Sequence, residues 1–266
     1  ERGREVKIIT VEQRSEAWFD ARRGLPTCSR FDAILTPRTA MPAAGQDKLI
    51  NELIAEAVVP PGVGLIKPEY TSDEMHQGII LEAEARCAYE LEFAPAPVTQ
   101  AGFLLHDSGQ FGGSPDGLVG DVGGVEIKCP LAATHVGYVR AGTLPDIYKS
   151  QVHGYLVVTG RDWWDFFSYA RCFPPLCVRV TRDDFTAKLA AELAKFCARL
   201  NEERAKFKLP PVGAASASPA TGWAGPVPRS DAASATPSVP GIIVTRSPAP
   251  DPRAPGSTTG SSREPA

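Results

Sequence analysis

Apolar positions along the chain change period twice, which divides it into helical and strand-like stretches. Ser15 is placed to cap a short helix whose apolar side carries Trp18 and Phe19. After the turn Gly24-Leu25-Pro26, Thr27 or Ser29 opens a second helix with Phe31, Ile34 and Leu35, and Pro37 stops it. Leu49, Leu53 and Ala57, flanked by Ile50 and Ile54, form a third helical face. Thr71-Ser72-Asp73-Glu74 is a capping-box pattern for a long helix running to about Phe93. Short apolar runs then follow at Gly102–His106, Leu118-Val119 and Val125–Cys129, read as three strands. Helical spacing returns at Ile147–Val158. Trp163–Tyr169 and Leu176–Thr181 read as strands, and Phe185, Leu189, Leu193, Phe196 and Leu200 mark a final amphipathic helix. Helices, three strands, a helix, two strands and a helix predict an α/β domain with a mixed central sheet.

Composition sets where that domain ends. From residue 209 to 266, Pro, Ala, Ser and Gly make up 38 of 58 residues, and Trp223 is the sole aromatic. Such text buries too little apolar surface to offset its ordering entropy, so a folded unit of residues 1–208 and a disordered tail of 209–266 are expected. The chain has 28 Lys+Arg and 31 Asp+Glu, a net charge of −3, which argues against polyanion binding through bulk charge but leaves room for a local basic face. No stretch approaches the roughly 18 apolar residues that cross a bilayer. The opening ERGREVKIITVEQ lacks an apolar signal core, and six cysteines stand without a framework spacing. Free thiols in a reducing, cytoplasmic setting are expected, with no membrane partner. The cysteines form no zinc or iron–sulfur pattern, and neither a nucleophile elbow nor a phosphate-binding P-loop is present.

Candidate chemistry lies in Gly112-Gly113-Ser114-Pro115-Asp116-Gly117, followed ten residues on by Glu126-Ile127-Lys128. On a strand, Glu126 and Lys128 share one face while Ile127 points to the other. Two charges in an otherwise buried strand are costly unless something offsets them. A divalent cation held by Asp116 and Glu126 would do so, and magnesium suits hard oxygen ligands, with Lys128 orienting or helping to deprotonate a water. This is equipment for phosphodiester hydrolysis, although a surface ion pair between Glu126 and Lys128 fits the same spacing. Glu82 sits on the long helix, either partly facing the core or as an ordinary i to i+4 partner of Arg86. The run Arg22-Arg23-Gly24-Leu25-Pro26-Thr27-Cys28-Ser29-Arg30 sets guanidinium groups beside a helix start, suited to phosphate or to plain solvation.

Four blocks in order, SEAWFDARRGLPTCSRFDAILT (15–36), GIILEAEARCAYE (78–90), Gly112–Pro130 and YKSQVHGYLVVTGR (148–161), resemble the phage lambda exonuclease / YqaJ viral recombinase family, a branch of the PD-(D/E)XK nuclease superfamily. The resemblance implies a restriction-endonuclease-like core. It matches Asp116, Glu126 and Lys128 to the catalytic and metal-binding trio, with the Ile127 carbonyl as a further ligand. Glu82 matches the helix carboxylate that completes the metal site, and Gln151 the polar residue that helps place the attacking water. Arg22, Ser29 and Ser114 match positions that hold the terminal 5′-phosphate. Cys28 departs from the small residue usual at its position. The implied activity is magnesium-dependent digestion of double-stranded DNA ends from the 5′ strand, with manganese as a substitute. The implied associations are a ring-shaped homotrimer and a single-strand annealing protein that uses the 3′ overhang. The alternatives carried forward are an endonuclease acting internally or on branched DNA, and a non-catalytic DNA-end-binding subunit.

Overall fold

The computed structural model describes residues 6–61, 63, 64 and 73–213, with 73–79 described by backbone alone. Contacts divide the chain into two units, Glu1–Ser218 and Pro219–Ala266. The second unit, most of the expected tail and the capping pattern before Asp73 lie outside the described residues.

Strand β1 (Lys7–Ile9) leads into helix α1 (Glu16–Arg22), capped as expected by Ser15, whose Oγ accepts from Trp18 N at 3.3 Å. Only Trp18 of its apolar pair is buried; Phe19 is exposed. The expected second helix is a single 3-10 stretch, Cys28–Ala33. It stays short because the chain leaves it at once for a β-bridge between Leu35 and Pro42. Helix α2 (Gln46–Val58) buries Leu49, Ile50, Leu53 and Ile54, and helix α3 (Asp73–Glu92) buries Leu81, Ala85 and Tyr89 at helical period.

Five short strands come next: β2 (Val98–Thr99), β3 (Phe103–Leu105), β4 (Gly112–Gly113), β5 (Gly117–Val119) and β6 (Gly123–Lys128). Then come α4 (Ala132–Ala141), α5 (Asp146–Thr159), β7 (Trp163–Ser168), β8 (Leu176–Thr181) and α6 (Asp184–Lys206). β2, β5, β6, β7 and β8 form one sheet in that order; β6 and β7 are parallel and the other neighbours antiparallel. β1, β3 and β4 form a small second sheet. Helices α4 and α5 make the long crossover that a parallel strand pair requires.

β1, β2, β4 and α4 were not foreseen. Strands of two or three residues carry no readable period. Helix α4, AATHVGYVRA, mixes glycine with β-branched residues and has little intrinsic helix preference. Its anchor is tertiary: buried His135 bonds Ser168 Oγ at 2.8 Å and the Pro174 carbonyl at 3.1 Å.

Two apolar clusters sandwich β6. Val125 and Ile127 pack toward Leu81, Ala85 and Tyr89 of α3. The other cluster joins α5, α6 and the 3-10 stretch through Phe31, Val152, Leu156, Trp164 and Leu193. Every residue of α5 from Val152 to Thr159 is buried, as expected of a helix enclosed on all sides. Two glycines permit the close packing. A Cβ at Gly154 would lie 2.6 Å from the Phe31 ring, so the glycine lets the 3-10 stretch settle against α5. A Cβ at Gly113 would lie 2.6 Å from Cys28 Sγ and 2.8 Å from the Tyr155 ring. Past α6, residues 209–213 turn back on it: Arg204 Nε donates to the Pro210 carbonyl at 2.9 Å, and Val212 N to Asn201 Oδ1 at 2.7 Å.

Gly113→Ala is therefore expected to destabilise the protein by about 1–3 kcal/mol, the usual cost of overpacking. Cys28→Ala in the same chain restores part of that loss by vacating the sulfur's space. Urea unfolding midpoints check both; an unchanged midpoint for Gly113→Ala would show that this contact is loose.

Candidate active site

The loop between β4 and β5 is fixed at nearly every residue. Gln13 Nε2 donates to the Pro115 carbonyl at 3.0 Å and to that of Ala101 at 2.9 Å. The Tyr155 hydroxyl donates to the Ser114 carbonyl at 2.9 Å, and Trp18 Nε1 to Ser114 Oγ at 2.7 Å. Arg86 donates to the Asp116 carbonyl while its other terminal nitrogen bonds Glu82 Oε1 at 3.0 Å. Asp116 itself accepts from the Ile127 amide at 2.6 Å, so its carboxylate is locked to the strand that carries Glu126.

Glu126 is buried beneath α5, on the face opposite Ile127, as the alternation predicts. Its Oε1 accepts from Gln151 Nε2 at 2.6 Å and from the Lys128 ammonium. Its Oε2 has no partner, one of two such buried side-chain atoms among the described residues. A buried carboxylate oxygen left bare costs free energy. Burial and the charge of Glu126 together push Asp116 up to about 8. Burial disfavours the Lys128 charge, but Glu126 and Asp116 outweigh it and hold the ammonium protonated. The ammonium also lies 5.3 Å from the Tyr148 ring centroid.

Asp116, Glu126, Lys128 and Gln151 thus converge, and Ile127 contributes its amide to the same group. Glu82 stands beside them. It is held by Arg86 and by Arg14, whose terminal nitrogen lies 3.2 Å from Glu82 Oε2. The i to i+4 pair with Arg86 is therefore realised, and the side chain is partly buried. Among the described residues no three His, Cys, Asp or Glu side chains form a ready metal cluster. Asp116 and Glu126 nonetheless fit a hard cation: one oxygen is bare, and the half-buried Asp116 lies close enough to buried Glu126 to be raised by it. Such a site would draw further ligands from backbone oxygen and water, as magnesium does.

Arg22, Ser29 and Ser114 line one open cleft of about 150 Å³, together with Gln151 and Tyr155. Of the neighbouring arginines, Arg23 pairs with Asp20, and Arg30 with Glu52 and Glu56. Ser29 Oγ lies 3.3 Å from the Thr27 hydroxyl. Sequence reasoning did not single out Gln13, Arg14, Trp18, Arg86 or Tyr155 as site residues. Trp18 and Arg86 had a signal, since each lies four helical positions from a candidate, Arg22 and Glu82. Tyr155 likewise stands four positions from Gln151 on α5, whereas Gln13 and Arg14 are brought in by tertiary packing alone.

Residues 17–162, which contain every site residue expected from the sequence but not Gln13 or Arg14, match the model of the YqaJ-like viral recombinase domain. The chain belongs to this family. An alkaline exonuclease (LHK-Exo) from Laribacter hongkongensis is similar to this YqaJ-family chain at 35% identity, with a TM-score of 0.62 over 73% of this chain and 96% of that one. The structure of LHK-Exo in complex with dAMP matches with the same figures. No curated protein matches the chain. The fold of this YqaJ domain is the PD-(D/E)XK one, a mixed sheet flanked by helices. All six cysteines are free, as the absence of a framework spacing predicts. Among the described residues no helix is long and apolar enough to cross a membrane.

The carboxylate pair makes stability depend on pH. An unfolded Asp116 loses its proton near pH 4, the ordinary aspartate value, whereas the folded one keeps it to about 8. Between those values the native state binds more protons than the unfolded state, so stability falls as pH rises. For protein freed of divalent cations, the melting temperature is expected to drop between about pH 5 and 8.5, and to drop clearly less in Asp116→Asn. Parallel curves for the two proteins would mean that the pair is not strained.

Proposed function

We propose that this YqaJ-family protein is a magnesium-dependent deoxyribonuclease that digests linear duplex DNA from the 5′ end and leaves a 3′ overhang. The observation that carries the reading is buried Glu126, with one bare oxygen, paired with half-buried Asp116 and a protonated Lys128 beside a cleft lined by Arg22, Ser29 and Ser114. Similarity to an alkaline exonuclease across most of the chain supports an exonuclease over other phosphodiester chemistry.

Asp116 and Glu126 would hold the magnesium, or manganese in its place, with the Ile127 carbonyl and Glu82 completing the ligand set. A divalent ion bound there supplies charge stabilisation and a more acidic water. The chain's own residues supply placement. Lys128 stays an ammonium, so it serves as a hydrogen-bond donor and positive charge toward the water and the scissile phosphate rather than as a base. Gln151, fixed on Glu126 and 3.4 Å from the Tyr155 hydroxyl, bridges the carboxylates and the cleft and orients the same water. Glu82 is held by Arg14 and Arg86, and it would join the ligand set only by giving up those partners. Arg22, Ser29 and Ser114 receive the terminal 5′-phosphate, which sets the register of the strand to be cut. The single-stranded 3′ product is the form that a single-strand annealing protein takes up.

Lys128→Ala is expected to lower the rate on 5′-phosphorylated linear duplex by about 100-fold or more while duplex binding survives. Closed circular duplex is expected to stay intact with the wild type in magnesium. A normal rate for Lys128→Ala would remove the site assignment, and cutting of the circle would replace exonuclease by endonuclease.

A further inference from the structure

Trp18 lines the same cleft but is only 8% exposed, so most of its ring faces the protein. It acts on its neighbours. Its indole N–H, which can only donate, bonds Ser114 Oγ at 2.7 Å. The Ser114 carbonyl is held independently by the Tyr155 hydroxyl, so backbone and side chain of this serine are both fixed. A hydroxyl that accepts from the indole keeps its own proton as the group it can offer to an occupant of the cleft. On the same helix, one turn on, the Arg22 guanidinium carbon lies 4.2 Å from the centre of the Trp18 ring. Stacking engages the flat side of the guanidinium, whereas a phosphate is met by its N–H edge. Phe19 packs edge-on to the same ring at 4.9 Å and limits its movement.

We propose that Trp18 is the positioning residue of the phosphate subsite. Its N–H makes Ser114 a donor toward the cleft and its ring face sets the plane of Arg22, so one buried side chain aligns two phosphate-binding groups from separate elements. The proposal rests on the reading of this cleft as the 5′-phosphate subsite. A tryptophan that merely filled the core would affect folding and would not alter the choice between DNA ends.

The test is the ratio of kcat/KM on 5′-phosphorylated and 5′-hydroxyl linear duplexes, measured with the full chain in magnesium. Both values come from one preparation, so any loss of folded protein cancels. The wild type is expected to prefer phosphorylated ends. Trp18→Phe keeps a ring for Arg22 and removes the N–H; its ratio is expected to fall about fivefold, the worth of one hydrogen bond. Trp18→Leu, which removes the ring as well, is expected to lower it further. In a Ser114→Ala background, Trp18→Phe is expected to have no additional effect, since the bond's partner is already gone. A wild-type preference retained within about twofold by Trp18→Phe and Trp18→Leu overturns the positioning role and leaves the subsite standing. Equal digestion of both ends by the wild type overturns the subsite and the proposal with it.

Discussion

A buried carboxylate on a strand, Glu126, held against the half-buried carboxylate of the preceding loop, Asp116, is the constraint on which this structure turns. Asp116 and Glu126 gain their closeness from the antiparallel β5–β6 pairing and from the bond between the Asp116 carboxylate and the Ile127 amide. Left alone, such a pair opposes folding, because burial and like charge both penalise ionisation. Lys128 and Gln151 offset part of this by donating to one Glu126 oxygen, and the other oxygen stays bare. That bare oxygen beside a raised Asp116 is the observation behind the proposed divalent cation.

The clamped Gly113–Asp116 loop carries that constraint outward. Its last residue belongs to the carboxylate pair, and Ser114 lines the cleft two positions earlier. Because Gln13, Trp18, Arg86 and Tyr155 fix the loop from four elements or segments, the distance between cleft and carboxylates is set by the packed core rather than by a mobile loop. In the proposed exonuclease, a fixed offset between the groups that would bind the phosphate and those that would react determines which bond is presented. Helix α5 contributes from the other side, since its enclosure by apolar residues gives Gln151 a rigid base.

Much of this was legible in the sequence because it follows short-range rules. Alternation on β6 placed Glu126 and Lys128 opposite Ile127, and helical period located α2, α5 and α6. What could not be read depends on partners far apart in the chain. Trp18 looked like an ordinary apolar helix residue until Ser114, 96 positions away, was brought to its N–H. Arg14 and Gln13 sit before α1 with no period to mark them, and α4 owes its existence to the buried His135 rather than to its composition. The net charge of −3 spoke only to bulk charge and left a local basic face open; part of the acidity belongs to carboxylates gathered at the site, Glu126 among them.

Whether Asp116 and Glu126 together hold a divalent cation, as proposed, is decided by calorimetric titration of magnesium into the full chain without DNA. One ion is expected to bind per wild-type chain, and none measurably to Glu126→Gln, which keeps the side chain's shape and loses its charge. Magnesium binding of equal affinity by Glu126→Gln would contradict the proposal.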